Sequence, residues 1–392
     1  MRIYFFDDSN ARHFKPLTLT RPIWDLRIGI LTIKEKWESI LKPEQCYWLI
    51  DDHLKEVFPS HTPLGTEECH YINSRMLPSS ELAESICKLK SGDALYSGNT
   101  LLAYRFQNFL TFDEIKTKLT PSETSFKPKI LTYLWDLLEY NSHEIESDIK
   151  LVKAKSFLGN HIEHVIISKP EKVFISDSAV IEPGVIIMGD SGPVYIGDSV
   201  TLEAGSIIKG PAAICDGATV KMSARIYGAS TIGPVCKVGG EVYHSIFHSF
   251  SNKAHDGFVG NSLLGQWCNM GADSNTSNLK NNYDFVRIQD WETKKMYNIG
   301  FQFFGTVMGD HSKTSINSML STGTTCGVSS NIFTSEFPQK YIPSFTWLDG
   351  KENPVFRFDK AVEVMKAMMA RRKVELTPEY ENMMRQIFEK KL

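Results

Sequence analysis

The residues best suited to chemistry lie around His255. This histidine stands between Lys253 and Asp256, and Asn269 and Asn278 follow it along the chain. Imidazole titrates in the physiological range, so a positioned histidine can accept the proton of an amine that attacks a thioester. The pattern favours His255 as a general base with Lys253 beside the substrate. The alternative is that His255 is a surface side chain without a catalytic role.

A second histidine competes for a place in the site. His311 lies in the polar run 309–313, and Ser315 follows shortly after it. We interpret His311 and Ser315 as candidates for lining a cofactor-binding slot. The other possibility for His311 is a structural role.

A six-residue repeat is the element that would position these side chains. Seven steps of six from Ile196 end at Val238, and each step lands on an aliphatic residue. The members are Ile196, Leu202, Ile208, Ile214, Val220, Ile226, Ile232 and Val238. A period of six is not the helical 3.6, and it is typical of a coil in which every flat side takes one hexapeptide. We predict a left-handed parallel β-helix from about Ile175 to Ile332.

The repeat becomes irregular beyond Val238. After a slip near Gly240, we count the inward members as Ile246, Asn252, Phe258, Leu264, Met270 and Thr276. A third run follows an insertion at about 279–307. Because loops that leave a solenoid often carry binding residues, we expect chemistry near Asn252, Thr276 and the insertion.

The flanking regions lack this period and predict two further parts. Residues 1–155 read as an α/β domain that includes a helical pattern at 130–140, which ends before the capping-type residues Asn141 and Ser142. Residues 156–335 contain the coil. Residues 336–392 form a helical tail, with helices at about 360–373 and after Pro378, and we expect the tail to cap the coil.

Composition narrows the class of protein. The formal net charge is −3 with 42% hydrophobic residues, which gives no basic excess for nucleic-acid binding. No apolar run is long enough for a membrane span, and the N-terminal apolar run is too short for a signal peptide, so we expect a cytoplasmic protein. Seven cysteines without a Cys-x-x-Cys pair suggest neither a disulfide framework nor a zinc site.

The coil resembles the acetyltransferase half of the bifunctional bacterial family that acetylates glucosamine 1-phosphate and couples it to uridine diphosphate, giving UDP-N-acetylglucosamine. The segments that carry the resemblance are Ala224-Arg225-Ile226, Val238-Gly239-Gly240, Lys253-Ala254-His255, Asn269-Met270-Gly271-Ala272 and Asn278. The resemblance implies acetyl-CoA as acyl donor, His255 as base, Asn269 at the sugar and Asn278 near the acyl group and cofactor. It also implies a homotrimer with sites between subunits.

The chain departs from this family where a sugar phosphate would be held. The family's arginine and lysine positions fall on Tyr227 and Ser245 here. Arg225, Lys221 or Lys253 could substitute, because a phosphate needs cations at suitable distances rather than at one sequence position. A different acceptor sugar, with or without an attached nucleotide, is an equal alternative.

The front domain resembles sugar-phosphate nucleotidyltransferases in the stretch Pro16-Leu17-Thr18-Leu19-Thr20-Arg21-Pro22. The family's glycine-rich loop is replaced by 6–12, which contains no glycine, although such glycines let backbone N–H groups approach a triphosphate. The resemblance leaves Arg12 and Arg21 as nucleotide-binding candidates and Asp93 as a ligand for Mg²⁺ with a nucleoside triphosphate. The stretch 14–37 is similar to an alternative branch of these two-domain enzymes.

The leading hypothesis is a transferase of sugar-nucleotide biosynthesis. It would transfer an acetyl group to an amino-sugar phosphate at the coil and a nucleotidyl group to a sugar 1-phosphate in front. One alternative keeps a single activity, either nucleotidyl or acyl transfer. Another is a non-catalytic coil that serves assembly.

Overall fold

The computed structural model describes residues 1–60, 68–157, 162–350 and 354–392. The chain forms two compact units. The first comprises Met1–Phe14, Arg21–Leu26 and Leu31–Leu134, and the second comprises Lys15–Thr20, Arg27–Ile30 and Trp135–Leu392. Two short N-terminal segments thus belong to the unit that contains the coil. The limits 1–155, 156–335 and 336–392 stay predictions.

The first unit is built on a six-stranded mixed sheet. In chain order its strands are β1 Arg2–Phe6, β2 Gln45–Trp48, β3 Cys69–Asn73, β4 Asp93–Ser97, β5 Thr100–Phe106 and β6 Thr120–Glu123. The order across the sheet is β2-β1-β3-β5-β4-β6, in which β1 runs parallel to β2 and β3, and β5 runs antiparallel to β3 and β4. Tyr71 and Tyr104 stack on neighbouring strands with ring centroids 4.4 Å apart.

Three helices accompany this sheet: α1 Ile33–Leu41, α2 Ser80–Cys87 and α3 Phe112–Lys118. Capping boxes begin α1 at Thr32 and α3 at Thr111. In each, the threonine hydroxyl accepts the backbone N–H of a glutamate three residues later, and the glutamate carboxylate accepts the backbone N–H of the threonine. The first unit is therefore the α/β domain that the sequence predicts.

The second unit contains the coil, whose parallel strands form three faces. The long face consists of Val173–Ile175, Val194–Ile196, Ala212–Ile214, Ser230–Ile232, Ile246–Ser249, Leu263–Gln266, Thr306–Met308, Thr324–Cys326 and Tyr341–Ile342. The second face consists of Ile166–Ser168, Ile186–Met188, Ile207–Lys209, Arg225–Tyr227, Glu241–Tyr243 and Phe258–Gly260, followed by the pair Asn275–Thr276 and Met319–Leu320. The third face consists of Val180–Ile181, Thr201–Leu202, Thr219–Val220, Lys237–Val238 and Asn252–Lys253, followed by Lys313–Thr314, Asn331–Ile332 and Trp347–Leu348.

The hexapeptide members fill the interior of this coil. All eight members from Ile196 to Val238 are at most 1% exposed and form one continuous hydrophobic core. Each rung donates and accepts backbone hydrogen bonds with the rungs above and below, so neighbours stabilise one another. The predicted fold class, an α/β domain followed by a left-handed β-helix and C-terminal helices, is confirmed.

The predicted register is wrong by one residue over part of the irregular stretch. Phe247, Lys253 and Val259, rather than their preceding neighbours, are the register partners of Ile232, Val238 and Val242. Two of the steps that follow Val238 contain fewer than six residues. Counting by six cannot detect such short steps. A lysine consequently occupies an interior position of the third face.

Helix α4, Asp136–Leu151, packs on the long face of the coil. The predicted pattern at 130–140 places its end too early, because Asn141 lies inside the helix instead of capping it. The Asn141 side chain accepts the N–H of Gly29 at 2.7 Å and the hydroxyl of Thr231 at 3.2 Å. The Asn141 amide also donates to the carbonyl of Ala229, so this residue bonds to the coil and to the Gly29 segment instead of ending the helix.

The insertion and the tail complete the second unit. The insertion forms an antiparallel hairpin of Arg287–Gln289 and Met296–Asn298. The tail forms helices α5, Phe358–Ala370, and α6, Pro378–Lys390, the latter capped by the Thr377 hydroxyl. The predicted C-terminal helices are confirmed.

The tail packs along a corner of the coil. Phe250, Trp267 and His311 stack at successive turns of this corner, with centroids 4.3 and 6.1 Å apart. Tyr380 of α6 lies against His311, and its hydroxyl is 3.0 Å from the imidazole Nε2. The tail therefore covers several rungs of this corner ladder. Within the four described ranges, every helix is too short or too polar to cross a bilayer.

Candidate functional site

A cavity of about 470 Å³ opens beside His255 on the second unit. Its walls come from the third face, the turns that follow it and the end of α5. The lining residues are Lys237, Phe250, Asn252, Ala254, His255, Asn269, Met270, Gly271, Ala272, Ile316, Met368, Arg371 and Arg372. The cavity thus brings together two of the predicted site residues, His255 and Asn269.

The stacking of rungs positions these two side chains. Asn269 is bridged to Asn252 on one side and to Lys313 on the other, and its backbone N–H donates to Ser312. The turn after it passes so close to the next rung that a Cβ at Gly271 would overlap the backbone of Ser315. His255 lies on the exposed turn after the strand Asn252–Lys253.

Lys253 lies beneath this turn rather than in the cavity. It is 1% exposed, and its Nζ donates to the carbonyls of Gly239 at 3.1 Å and His255 at 2.8 Å. Burial lowers the pKa of Lys253 to about 8. Its contacts hold the backbone of His255, and so the lysine positions the imidazole.

Three cations line the cavity that sequence reasoning did not identify as site residues. Lys237 comes from the third face, whereas Arg371 and Arg372 follow directly after α5. The Arg372 guanidinium donates to the Asn252 side chain at 2.6 Å. No sequence signal marked these arginines, because basic residues at the end of a helix are common for electrostatic reasons alone.

Asn278 and Arg225 lie outside the cavity lining. The Asn278 amide donates to the side chain of Asn261 at 2.8 Å, beside the strand Phe258–Gly260. Arg225 pairs with Glu241 at 3.3 Å, and the Tyr227 hydroxyl donates to the same carboxylate at 2.6 Å. Glu241 therefore already neutralises the arginine that we considered as a substitute phosphate ligand.

The two residues predicted to line a cofactor slot lie in different surroundings. His311 is 1% exposed and lies in the corner ladder against Tyr380, which is a structural setting. Ser315 is half-buried next to Ile316, which lines the cavity, and its hydroxyl lies 3.1 Å from that of Ser318. Of these two residues, Ser315 is the closer in sequence to the cavity lining.

In the first unit the predicted residues lie in different settings. Arg12 is exposed, whereas Arg21 is 2% exposed and contacts Asp25 at 3.4 Å. The Asp93 carboxylate accepts the backbone N–H of Lys90 at 2.8 Å and closes a turn. Within the part of the chain that the structure describes, no three His, Cys, Asp or Glu side chains converge as metal ligands would. Asp93 as a Mg²⁺ ligand stays a prediction.

Sequence reasoning also missed a polar cluster where the parallel strands β1 and β3 end. Asp8 accepts hydrogen bonds from Arg75 and, at 2.9 Å, from Asn73. Burial raises the pKa of the neighbouring Asp7 to about 7. The carboxyl ends of parallel strands are where open α/β sheets bind ligands. Here an internal ion pair between Asp8 and Arg75 occupies part of that edge.

Residues 3–156 match the family model described as sugar nucleotidyl transferase. The chain is 32% identical to the bifunctional protein GlmU of Synechococcus elongatus over 33% of its own length, and 31% identical to that of Methanocaldococcus jannaschii over 57%. Over these stretches the chain is similar to the GlmU proteins. The matches span 28% and 48% of those relatives, so less than half of either relative is represented.

Solved structures add little to this similarity. The UDP-N-acetylglucosamine acyltransferase from Campylobacter jejuni aligns over 55% of this chain and 96% of that chain, with 16% identity and a TM-score of 0.17. The assignment of the coil therefore rests on its own strands and register. The family match confirms the prediction of a transferase at the level of class.

Proposed function

We propose that this GlmU-like protein acts in sugar-nucleotide biosynthesis and transfers an acetyl group from acetyl-CoA to the amino group of a sugar phosphate. One observation supports this most: the exposed imidazole of His255 and the amide of Asn269 line the same cavity as three cations. A base, a neutral hydrogen-bonding group and positive charge are the groups that an amino-sugar phosphate requires.

In the proposed reaction the sugar nitrogen attacks the thioester carbonyl while His255 accepts its proton. A C–N bond forms, the C–S bond breaks, and the coenzyme thiolate takes a proton back from the imidazolium. Asn269 hydrogen-bonds the sugar and orients its amine, and Lys253 keeps the His255 turn in place through two carbonyls. Such proton transfer contributes about 10²–10⁴-fold to a rate.

The proposed cofactor contacts involve Asn278 and Ser315. Asn278 is not among the residues that line the cavity of a single chain, so its proposed place near the acyl group requires a neighbouring subunit. We therefore propose a homotrimer in which acetyl-CoA lies between coils. The burial of His311 in the corner ladder argues for a structural role there.

In the first unit we propose nucleotidyl transfer to a sugar 1-phosphate, with Arg12 and Arg21 as nucleotide contacts. A second candidate function is acyl transfer alone. The observation that favours it is the Asp8–Arg75 pair, which occupies the end of β1 where the loop without glycine begins. Titration of the full chain with nucleoside triphosphates and Mg²⁺ separates the two, since saturable binding supports nucleotidyl transfer and its absence leaves acyl transfer alone.

The acyl step is tested by release of free thiol from acetyl-CoA with a panel of amino-sugar phosphates. We expect His255→Ala to lower kcat by about 10²–10⁴-fold, because the proton acceptor is lost. His164→Ala is the matched control, since His164 is also an exposed histidine but does not line the cavity. An undiminished rate for His255→Ala removes this residue from the mechanism, and no turnover with any acceptor by the wild type contradicts the proposed function.

A further inference from the structure

The three cations of the cavity have a different setting from two other basic residues of the coil. Lys221 pairs with Glu203, and Arg225 pairs with Glu241. Among the described residues, by contrast, Lys237 and Arg371 form no ion pair with a carboxylate, and the lining of the cavity contains no Asp or Glu. The cavity lining thus carries three positive charges and no carboxylate.

The cations are also close enough to affect one another. Burial, followed by the positive charges of Arg372 and Lys221, lowers the pKa of Lys237. Like charges that share a partly buried wall repel, and an anion bound between them would relieve that repulsion. The Arg372 guanidinium is held by its bond to Asn252, which also lines the cavity.

We propose that Lys237, Arg371 and Arg372 form a phosphate-binding site within the cavity. This inference rests on the proposed function and specifies how its substrate is held. Two sources of the same chemistry exist, the phosphate of the acceptor sugar and the diphosphate of coenzyme A. The acceptor is favoured, because His255 and Asn269 line the same cavity. The site would replace the cations missing at Tyr227 and Ser245, and it recruits the C-terminal tail into substrate recognition.

Inorganic pyrophosphate serves as the direct probe, titrated into the full-length protein by calorimetry. We expect saturable binding that Arg371→Ala weakens by about 10- to 100-fold, as expected for the loss of a charge-assisted hydrogen bond. Arg372→Lys keeps the charge but loses the planar fork, so it should show a smaller loss. Lys360→Ala is the control, because Lys360 is exposed on α5, the helix that ends just before Arg371, and pairs with Glu363. Wild-type protein that does not bind pyrophosphate, or variants with unchanged affinity, overturns the site.

Kinetics then identify the source of the phosphate. If the acceptor supplies it, Arg371→Ala raises the acceptor KM for a phosphorylated amino sugar but not for the same sugar without phosphate. If coenzyme A supplies it, the KM for acetyl-CoA rises instead. Either result supports the site. Acyl transfer that proceeds unchanged in both arginine variants disproves the site while the proposed function stands. Arginine-dependent pyrophosphate binding without any acyl transfer leaves the site standing and contradicts the function.

Discussion

A single interior lysine shows how this coil supports the turn that carries His255. Lys253 replaces the aliphatic residue of its rung, and its Nζ reaches two carbonyls, one of which belongs to His255. An apolar residue would fill the same space but would leave those carbonyls without their donor. Burial of the lysine therefore costs free energy, but its hydrogen bond fixes the backbone of His255, the proposed general base.

This penalty predicts a specific pH dependence of stability. The pKa of Lys253 is lowered from 10.5 to about 8. Below pH 8, Lys253 is protonated in both the native and the unfolded state, so the native state carries the full cost of burying the charge. As the pH rises toward 10.5, the unfolded state still binds the proton that the native state has released, so native stability increases. We expect the wild type to gain about 3 kcal/mol relative to Lys253→Met across this window.

Urea unfolding below, within and above the window measures this gain. Lys360→Met is the control, since its side chain is exposed on α5. A wild-type advantage that stays constant with pH would contradict the assignment of the buried charge. Because Lys253→Met also releases the His255 turn, we expect its acyl-transfer rate to fall even where the protein is folded.

At this scale the sequence predicts some site residues but not others. The order of His255 and Asn269 resembles a known family, and stacking of rungs brings them together. Arg371 and Arg372 are more than a hundred residues away in the chain and follow an ordinary amphipathic helix. Only the packing of α5 and α6 on the corner ladder brings them to the cavity, and hydrophobic periodicity does not specify such docking.

The close spacing of rungs is an element-level constraint with a measurable consequence. At Gly233 a Cβ would overlap the carbonyl oxygens of His248 and Phe247 on the next rung. We expect Gly233→Ala to lower the free energy of unfolding by about 1–3 kcal/mol, because the rungs must separate locally. Gly350→Ala is the control, since a Cβ there meets open space. Equal unfolding midpoints for the two variants would disprove the steric reason.

Helix α4 supplies the second prediction at this scale. Asn141→Ala removes the acceptor for the buried N–H of Gly29 and the donor to the carbonyl of Ala229. We expect a loss of about 1–3 kcal/mol in thermal or urea unfolding. Glu146→Ala on the exposed side of the same helix should be nearly neutral. If both variants unfold alike, the buried amide does not anchor the helix.

The elements themselves were predictable to different extents. Strict steps of six between Ile196 and Val238 place every interior residue correctly, because each rung repeats the same geometry. The predicted register is wrong at Phe247, Lys253 and Val259, because two steps after Val238 contain fewer than six residues. Periodicity also placed the end of α4 too early, since a buried asparagine looks like a cap when its tertiary partners are unknown.

For the whole molecule we predict a homotrimer. Asn278 is not among the residues that line the cavity of one chain, and parallel coils can pair their flat faces around a threefold axis. Light scattering at working concentration should give three times 44.4 kDa. A monomeric mass would count strongly against sites shared between subunits, although the His255 cavity itself belongs to one chain.

The two N-terminal segments of the second unit have a consequence for biosynthesis. The Arg27 guanidinium donates to the carbonyl of His248, which lies 221 residues further along the chain. Because a ribosome releases the N-terminus first, Arg27–Ile30 emerges long before the rungs that it contacts exist. Contacts of such long sequence separation slow folding and expose intermediates. Nascent chains that stop short of His248 therefore lack the acceptor for Arg27, which makes prematurely terminated products targets for chaperones and proteases.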